Sequence, residues 1–171
     1  MTGRCATPLG ALLRGVVAGA AGTAVMDLVQ FARSRAGGGE QGLLEWEFSA
    51  GVADWDSAPA PAQIGRRLVE GLFQVELPDD RAALTNNVVH WAYGMGWGAL
   101  FGLVEGGLSA PRARHGLVLG ALVWLSGYVV LPAAKLYEPI WRYDVPTLAK
   151  DLGAHLAYGL GTGAAYRGLA R

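Results

Sequence analysis

Two histidines of this chain lie inside charge-free stretches, and each opens the same ten-residue phrase. His90-Trp91-Ala92-Tyr93-Gly94-Met95-Gly96-Trp97-Gly98-Ala99 and His155-Leu156-Ala157-Tyr158-Gly159-Leu160-Gly161-Thr162-Gly163-Ala164 agree at seven of ten positions. On a helix, Tyr93 and Tyr158 fall on the face of their histidine at i+3, and Asn86 and Asp151 at i−4. Asp27 is the only charge between Gly15 and Ala32. Imidazole and carboxyl groups placed within apolar helices support three kinds of chemistry. They can bond helices together, at about 0.6 kcal/mol per bond. They can handle a proton or small solute in a wetted cavity. They can hold a ligand, a metal or a bis-histidine haem between His90 and His155. The sequence predicts no cofactor otherwise, and haem there predicts a Soret band.

The elements that carry these groups follow from where charge is missing. The chain has 171 residues, 52% hydrophobic and 16% charged, against about 25% charged in ordinary soluble domains. Fourteen basic residues balance 14 acidic ones, so zero net charge gives no footprint for nucleic acid, and one cysteine excludes an internal disulfide. Ala82 to Val104 is 23 residues without a charge, and Gly116 to Ala134 is 19. A bilayer core needs about 20 helical residues, so both are long enough to span. Gly15–Ala32 and Leu152–Tyr166, the latter extending upstream to Thr147, complete four spans. No small-residue cleavage site precedes Arg33, so the first is read as a retained span and not a signal peptide.

The first and third spans also correspond, Gly15, Val17, Gly19 and Ala20 aligning with Gly116, Val118, Gly120 and Ala121. The reading is a single membrane domain over residues 1–171. It is an all-α, four-helix transmembrane bundle of two repeated helical hairpins, 9–108 and 112–168, related as a parallel repeat. Gly15/Gly19, Gly98/Gly102, Gly116/Gly120 and Gly159/Gly163 are G-x-x-x-G pairs, each a flat strip where a helix can approach closely, within the chain or in a homo-oligomer. The first loop carries an aromatic, acidic segment (Glu45-Trp46-Glu47-Phe48, Asp54-Trp55-Asp56) and a proline-rich turn. Residues 63–76 then read as a short amphipathic helix, with Ile64, Leu68, Leu72 and Val75 on one face and Arg66, Arg67, Glu70 and Gln74 exposed. It either lies in the interface plane or packs on the bundle. Pro78-Asp79-Asp80 and Asp144-Val145-Pro146-Thr147 read as caps for the second and fourth spans. Glu105 reads as an interfacial residue at the inner end of the second span.

Loop charges set the expected topology. One side carries Arg4, Arg14, Arg112, Arg114, Arg167 and Arg171 with no carboxylate outside the spans. The other carries eight basic residues against 12 acidic ones. Positive density in the short segments places both termini in the cytoplasm of a multi-pass inner-membrane protein, with the lipid bilayer as its partner. Asp27, Asn86, His90, Asp151 and His155 then share the outer half of the membrane. Nucleophilic and metal-enzyme motifs are missing: there is no G-x-S-x-G elbow, H-E-x-x-H, P-loop or cysteine pair.

The stretch His115-Gly116-Leu117-Val118-Leu119-Gly120-Ala121-Leu122, then Leu131-Pro132, Pro139-Ile140-Trp141-Arg142-Tyr143-Asp144 and Asp151-Leu152-Gly153-Ala154-His155-Leu156, resembles the YagU family. Asn86-Asn87-x-x-His90-Trp91 is similar to uncharacterised actinobacterial membrane proteins. The resemblance implies a multi-span bacterial inner-membrane protein and brings no catalytic or binding residues with it. Two functions stay open: solute- or proton-linked transport centred on His90, His155, Asp27 and Asp151, or a packing and assembly protein that works through its glycine faces and its outer Trp/acidic loop.

Overall fold

The computed structural model describes residues 7–49, 52, 54–108 and 112–171. Arg4, Cys5, Ser109 and the loop position Pro111 lie outside the described residues. All regular structure among the described residues is helical. The α-helices among the described residues are α1 (Pro8–Ala36), α2 (Leu43–Ser49), α3 (Ala60–Phe73), α4 (Ala82–Gly106), α5 (His115–Ala133) and α6 (Val145–Leu169). The four long ones cover the four charge-poor stretches. α1 and α5 are long and apolar enough to cross a membrane. In α4 and α6, which carry the repeated phrase, polar groups dilute the apolar ones.

Local chemistry sets the helix ends. Thr7 caps α1, its hydroxyl accepting from the Gly10 amide at 3.1 Å, and Pro8 follows at the first turn. Gly38, at φ +95°, turns the chain away after α1. Asp144 caps α6 as expected, accepting from the Thr147 amide at 3.0 Å. The expected cap on α4 is different. Asp79–Arg81 forms one turn of 3-10 helix that runs straight into α4, and no side chain caps the junction.

Packing follows the glycines. α1 is the central helix, antiparallel to α4 on one side and to α6 on the other; α6 in turn packs on α5, while α4 and α5 touch only lightly. A Cβ on Gly98 would lie 2.5 Å from the Gly19 Cα, and one on Gly102 2.7 Å from the Gly15 Cα. A Cβ on Gly159 would lie 2.7 Å from the Gly120 nitrogen, and one on Gly116 2.6 Å from the Gly159 carbonyl carbon. Real Cβ atoms do not come this close, so backbone touches backbone in both hairpins. All four G-x-x-x-G strips are therefore occupied inside the chain. The sequence alignment equates Gly94 with Gly159, yet it is Gly98 that nests between Gly15 and Gly19 as Gly159 nests between Gly116 and Gly120. The second hairpin is thus offset by about one helical turn from the first.

Hydroxyls finish these interfaces. Tyr158 donates to the Gly94 carbonyl at 2.6 Å and Tyr166 to the Gly102 carbonyl at 3.0 Å, two rungs joining α6 to α4. Thr23 and Thr162, both buried, donate back to Gly19 and Tyr158 of their own helices.

The first loop folds against the bundle. Trp55 is 4% exposed, its indole donating to the Leu77 carbonyl at 2.9 Å under the Arg66 guanidinium. Gln63 donates to the Trp55 carbonyl, and Arg67 reaches the Ala134 carbonyl at the end of α5. The amphipathic helix spans 60–73 and not 63–76, because Gln74 takes a left-handed conformation (φ 55°) that ends it. It packs on α4, and the packing face is not the one its large apolar residues predict. Ala62 and Gly65 are buried, a Cβ at Gly65 lying 2.8 Å from Val89 Cγ2, while Leu68, Leu72 and Val75 stay exposed. Close approach of small residues outweighs the wider Leu face.

Candidate functional site

A cavity of about 660 Å³ opens among the helices at the end where α1 and α5 finish and α4 and α6 begin. It exists because the α4/α5 seam has no glycine zipper, and Tyr93 is what bridges that seam, its hydroxyl 3.0 Å from Ser126 Oγ. The seven polar residues singled out from the sequence all line it: Asp27, Asn86, His90, Tyr93, Asp151, His155 and Tyr158.

Their roles differ. His90 of α4 meets Asp27 of α1 across the first hairpin, Nε2 to Oδ1 at 2.9 Å. Asp27 is 6% exposed, and its other oxygen, Oδ2, is buried without a hydrogen-bond partner. Asn86, one turn from His90 on α4, also leaves its Oδ1 buried and unpartnered. A buried acceptor left unpaired costs about 1–3 kcal/mol, and both of these belong to residues that line the cavity.

His155 pairs within its own helix. Its Nδ1 lies 2.9 Å from the Asp151 carbonyl and 3.3 Å from Asp151 Oδ1. Because a carbonyl can only accept, Nδ1 carries the proton and Nε2 is the nitrogen left for other partners. Tyr128 is the position in α5 that matches Asp27, and the one-turn offset of the second hairpin sets it opposite Asp151 and not opposite His155. His155 has no carboxylate across its hairpin and takes the one a turn before it. Tyr158 is 2% exposed and its hydroxyl is committed to the Gly94 carbonyl, so its contribution to the cavity is the ring.

The first loop roofs this space. Trp46 and Glu47 of α2 and Ala60 and Ile64 of α3 reach its wall. Asn87 donates to the Glu47 carbonyl and Trp91 to the Glu47 carboxylate, both at 2.9 Å, while Trp46 packs edge-on to Phe31. The Trp/acidic loop is thus engaged with its own bundle. Outside the roof, the carboxylates of Asp54, Glu70 and Asp144 titrate below their usual range. Hydrogen bonds from Ser57 hold down Asp54; the Leu77 amide and Arg66 hold down Glu70; Thr147 holds down Asp144.

Sequence reasoning missed a second pair at the opposite end of the bundle. Glu105 is 2% exposed: Oε1 meets His115 Nδ1, and Oε2 accepts from the Arg112 amide at 3.3 Å. Each of the chain's three histidines therefore faces a carboxyl group. The available signal was a histidine ten residues beyond the last acid of α4, across a turn short enough to fold it back. Gln30, Trp46 and Tyr137 were also missed on the cavity wall; Gln30 was legible as the residue one turn beyond Asp27.

Among the described residues no three His, Cys, Asp or Glu side chains converge on a point that would hold a metal ion. Each cavity imidazole turns to its own carboxyl group. No family model, curated protein or solved structure matches the chain. The site is identified by its geometry: a cavity beneath the first loop, walled by both copies of one motif and by the buried Asp27.

Proposed function

We propose that this chain is a multi-pass inner-membrane protein that moves a small solute or protons through the cavity around Asp27, His90, Asp151 and His155, with both termini cytoplasmic. The single observation that carries it is that both copies of the repeated motif and the buried Asp27–His90 pair line one cavity beneath the first loop. An ionisable side chain buried within apolar helices is a functional-site candidate by default.

The membrane part is supported by which residues lie inside. Buried positions are mostly glycine, alanine, threonine, tyrosine, Asp27 and Glu105, while Leu13, Val17, Val104, Val118, Leu122 and Val129 are half-exposed or more. Only 33% and 28% of the apolar stretches of α1 and α5 are buried, where the core helix of a water-soluble domain would be mostly buried. Large apolar residues outside and small or polar ones inside suit a lipid solvent. The exposed Leu68, Leu72 and Phe73 of α3 fit the interface plane at the roofed end.

The assembly reading has less to work with, because the glycine strips and both loop tryptophans are used within the chain. The test is flux in proteoliposomes with an entrapped pH dye. The His90→Gln/His155→Gln protein is expected to insert and fold normally and to lose at least tenfold of the proton-linked flux. Equal flux from the double variant overturns the proposal.

A further inference from the structure

The walls of the cavity are unlike. α1, α4 and α6 each bring polar side chains to it, Asp27, His90 and His155 among them. Everything that α5 contributes is apolar: Val123, Gly127, Val130 and Leu131. This apolar wall adjoins the seam where the bundle is weakest. Glycines set α1 backbone to backbone on α4, and α5 on α6, but α4 and α5 touch only lightly. A hydrogen bond between Tyr93 and Ser126, at 3.0 Å, crosses the seam, with Trp97 edge-on to the Tyr93 ring one turn further in. At the other end α3 packs on α4 and reaches the end of α5 through Arg67 and the Ala134 carbonyl. Between these two ties the α5 face is low. Gly127 has no side chain, and a Cβ there would meet only Leu131 Cδ1, at 4.0 Å. Val130 and Tyr93, one from each side of the seam, line the cavity and are 58% and 48% exposed. The outer face of α5 presents Leu122, Leu125 and Val129, so apolar residues continue along this helix from its lipid side to the cavity wall. The volume of about 660 Å³ suits a small ligand, whose pockets run from about 300 to 1,000 Å³. No lysine or arginine lines the cavity among the described residues, so nothing there favours an anionic head.

We propose that the cavity takes a single-chain amphiphile from the bilayer, its alkyl chain entering between α4 and α5 and lying along the α5 wall. The proposal rests on the membrane reading of the chain and names the class of solute. Lipid tails are as apolar as leucine, so the chain loses little on leaving them for this wall. The head then lies on the side of the cavity where α1, α4 and α6 supply polar groups. The Tyr93–Ser126 bond is the tie that entry must part.

Photolabelling of the full chain in phosphatidylcholine vesicles tests it. The probe is dodecan-1-ol with a mid-chain diazirine, and mass spectrometry places the adducts. Adducts are expected on Met26 and Leu131 of the cavity as well as on Leu122 and Val129 of the outer face. Excess unlabelled dodecan-1-ol should cut the cavity adducts at least tenfold and leave the outer ones unchanged. Gly127→Leu, which fills the low stretch of the seam, should also cut the cavity adducts at least tenfold. Val130→Trp takes its place if Gly127→Leu fails to fold by circular dichroism. Tyr93→Phe, which removes the tie and keeps the ring, should at least double the rate at which cavity adducts appear after the probe is added. Adducts confined to the outer face, cavity adducts that survive competition or the seam-filling variant, or an unchanged rate in Tyr93→Phe overturns the proposal alone. Absence of adducts on Leu122 and Val129 as well overturns the membrane reading, and the proposal with it.

Discussion

Tyr158 donates its hydroxyl to the carbonyl of Gly94, so one copy of the repeated motif docks on the other. Its sequence counterpart, Tyr93, is 48% exposed and bridges to Ser126 instead. Related phrases thus do unlike work, one locking α6 to α4 and the other closing the seam in front of the cavity. Tyr158→Phe is expected to destabilise the protein by about 1 kcal/mol, the net value of a typical buried hydrogen bond. Tyr93→Phe should stay within about 0.5 kcal/mol. Thermal unfolding of the two variants in one detergent checks the contrast.

Gly98 and Gly96 separate packing from composition. Gly98→Ala places a Cβ 2.5 Å from the Gly19 Cα and should cost about 1–3 kcal/mol through overpacking. Gly96 meets nothing within 4 Å, so Gly96→Ala should be neutral or gain up to about 1 kcal/mol from helix propensity. Equal melting temperatures for the two would show that backbone contact between α1 and α4 is not what holds the hairpin.

Asp27 and His90 are expected to act as a unit. In a cycle of Asp27→Asn, His90→Gln and the double variant, the coupling energy should fall within about 0.5–3 kcal/mol. A coupling near zero would mean that the 2.9 Å contact contributes no stability.

The loop carboxylates should make the protein sensitive to acid. Asp54, Glu70 and Asp144 are held below their unfolded values, so their contribution is present above the usual carboxylate range and is lost as pH falls through the depressed folded values. Trp55 adjoins Asp54 and lies buried beneath Arg66. Its emission should be steady from neutral pH to about 5 and shift to the red below about 4, where carboxylates normally titrate. Asp54→Asn should weaken that dependence. A red shift centred near pH 6 would point to a histidine instead.

Much of the helical frame was legible because its signals are one-dimensional. Charge-free runs marked α4 and α5, and glycines at a spacing of four marked the faces that close both hairpins. The cavity group was legible for a related reason: a repeated motif puts its polar members at related positions in two helices. The pairing of Glu105 with His115 was not, because it depends on how a short turn reverses the chain. The packing face of α3 was hidden too, since Gly65 adds nothing to an apolar pattern yet sets the distance of closest approach. Nor could identity choose the register of the second hairpin, where Gly159 and Gly163 offer equivalent strips one turn apart. The aromatic residues of the first loop carry no period, so nothing in the sequence showed that Trp46 and Trp55 turn inward.

α1 lies between two helices, and its buried positions from Ala11 to Gly22 (Ala11, Gly15, Ala18, Gly19, Gly22) are all glycine or alanine. Replacing any of them by a larger apolar residue makes the sequence look better suited to a membrane and the protein worse at folding. Saturation mutagenesis should therefore show a stripe of intolerance along α1 that runs opposite to hydrophobicity, with Leu and Ile among the most damaging substitutions. On the outer face of α5, at Val118, Leu122 and Val129, the same residues should pass freely. Variant-effect reasoning that rewards apolar side chains in apolar helices would rank these two faces the wrong way round.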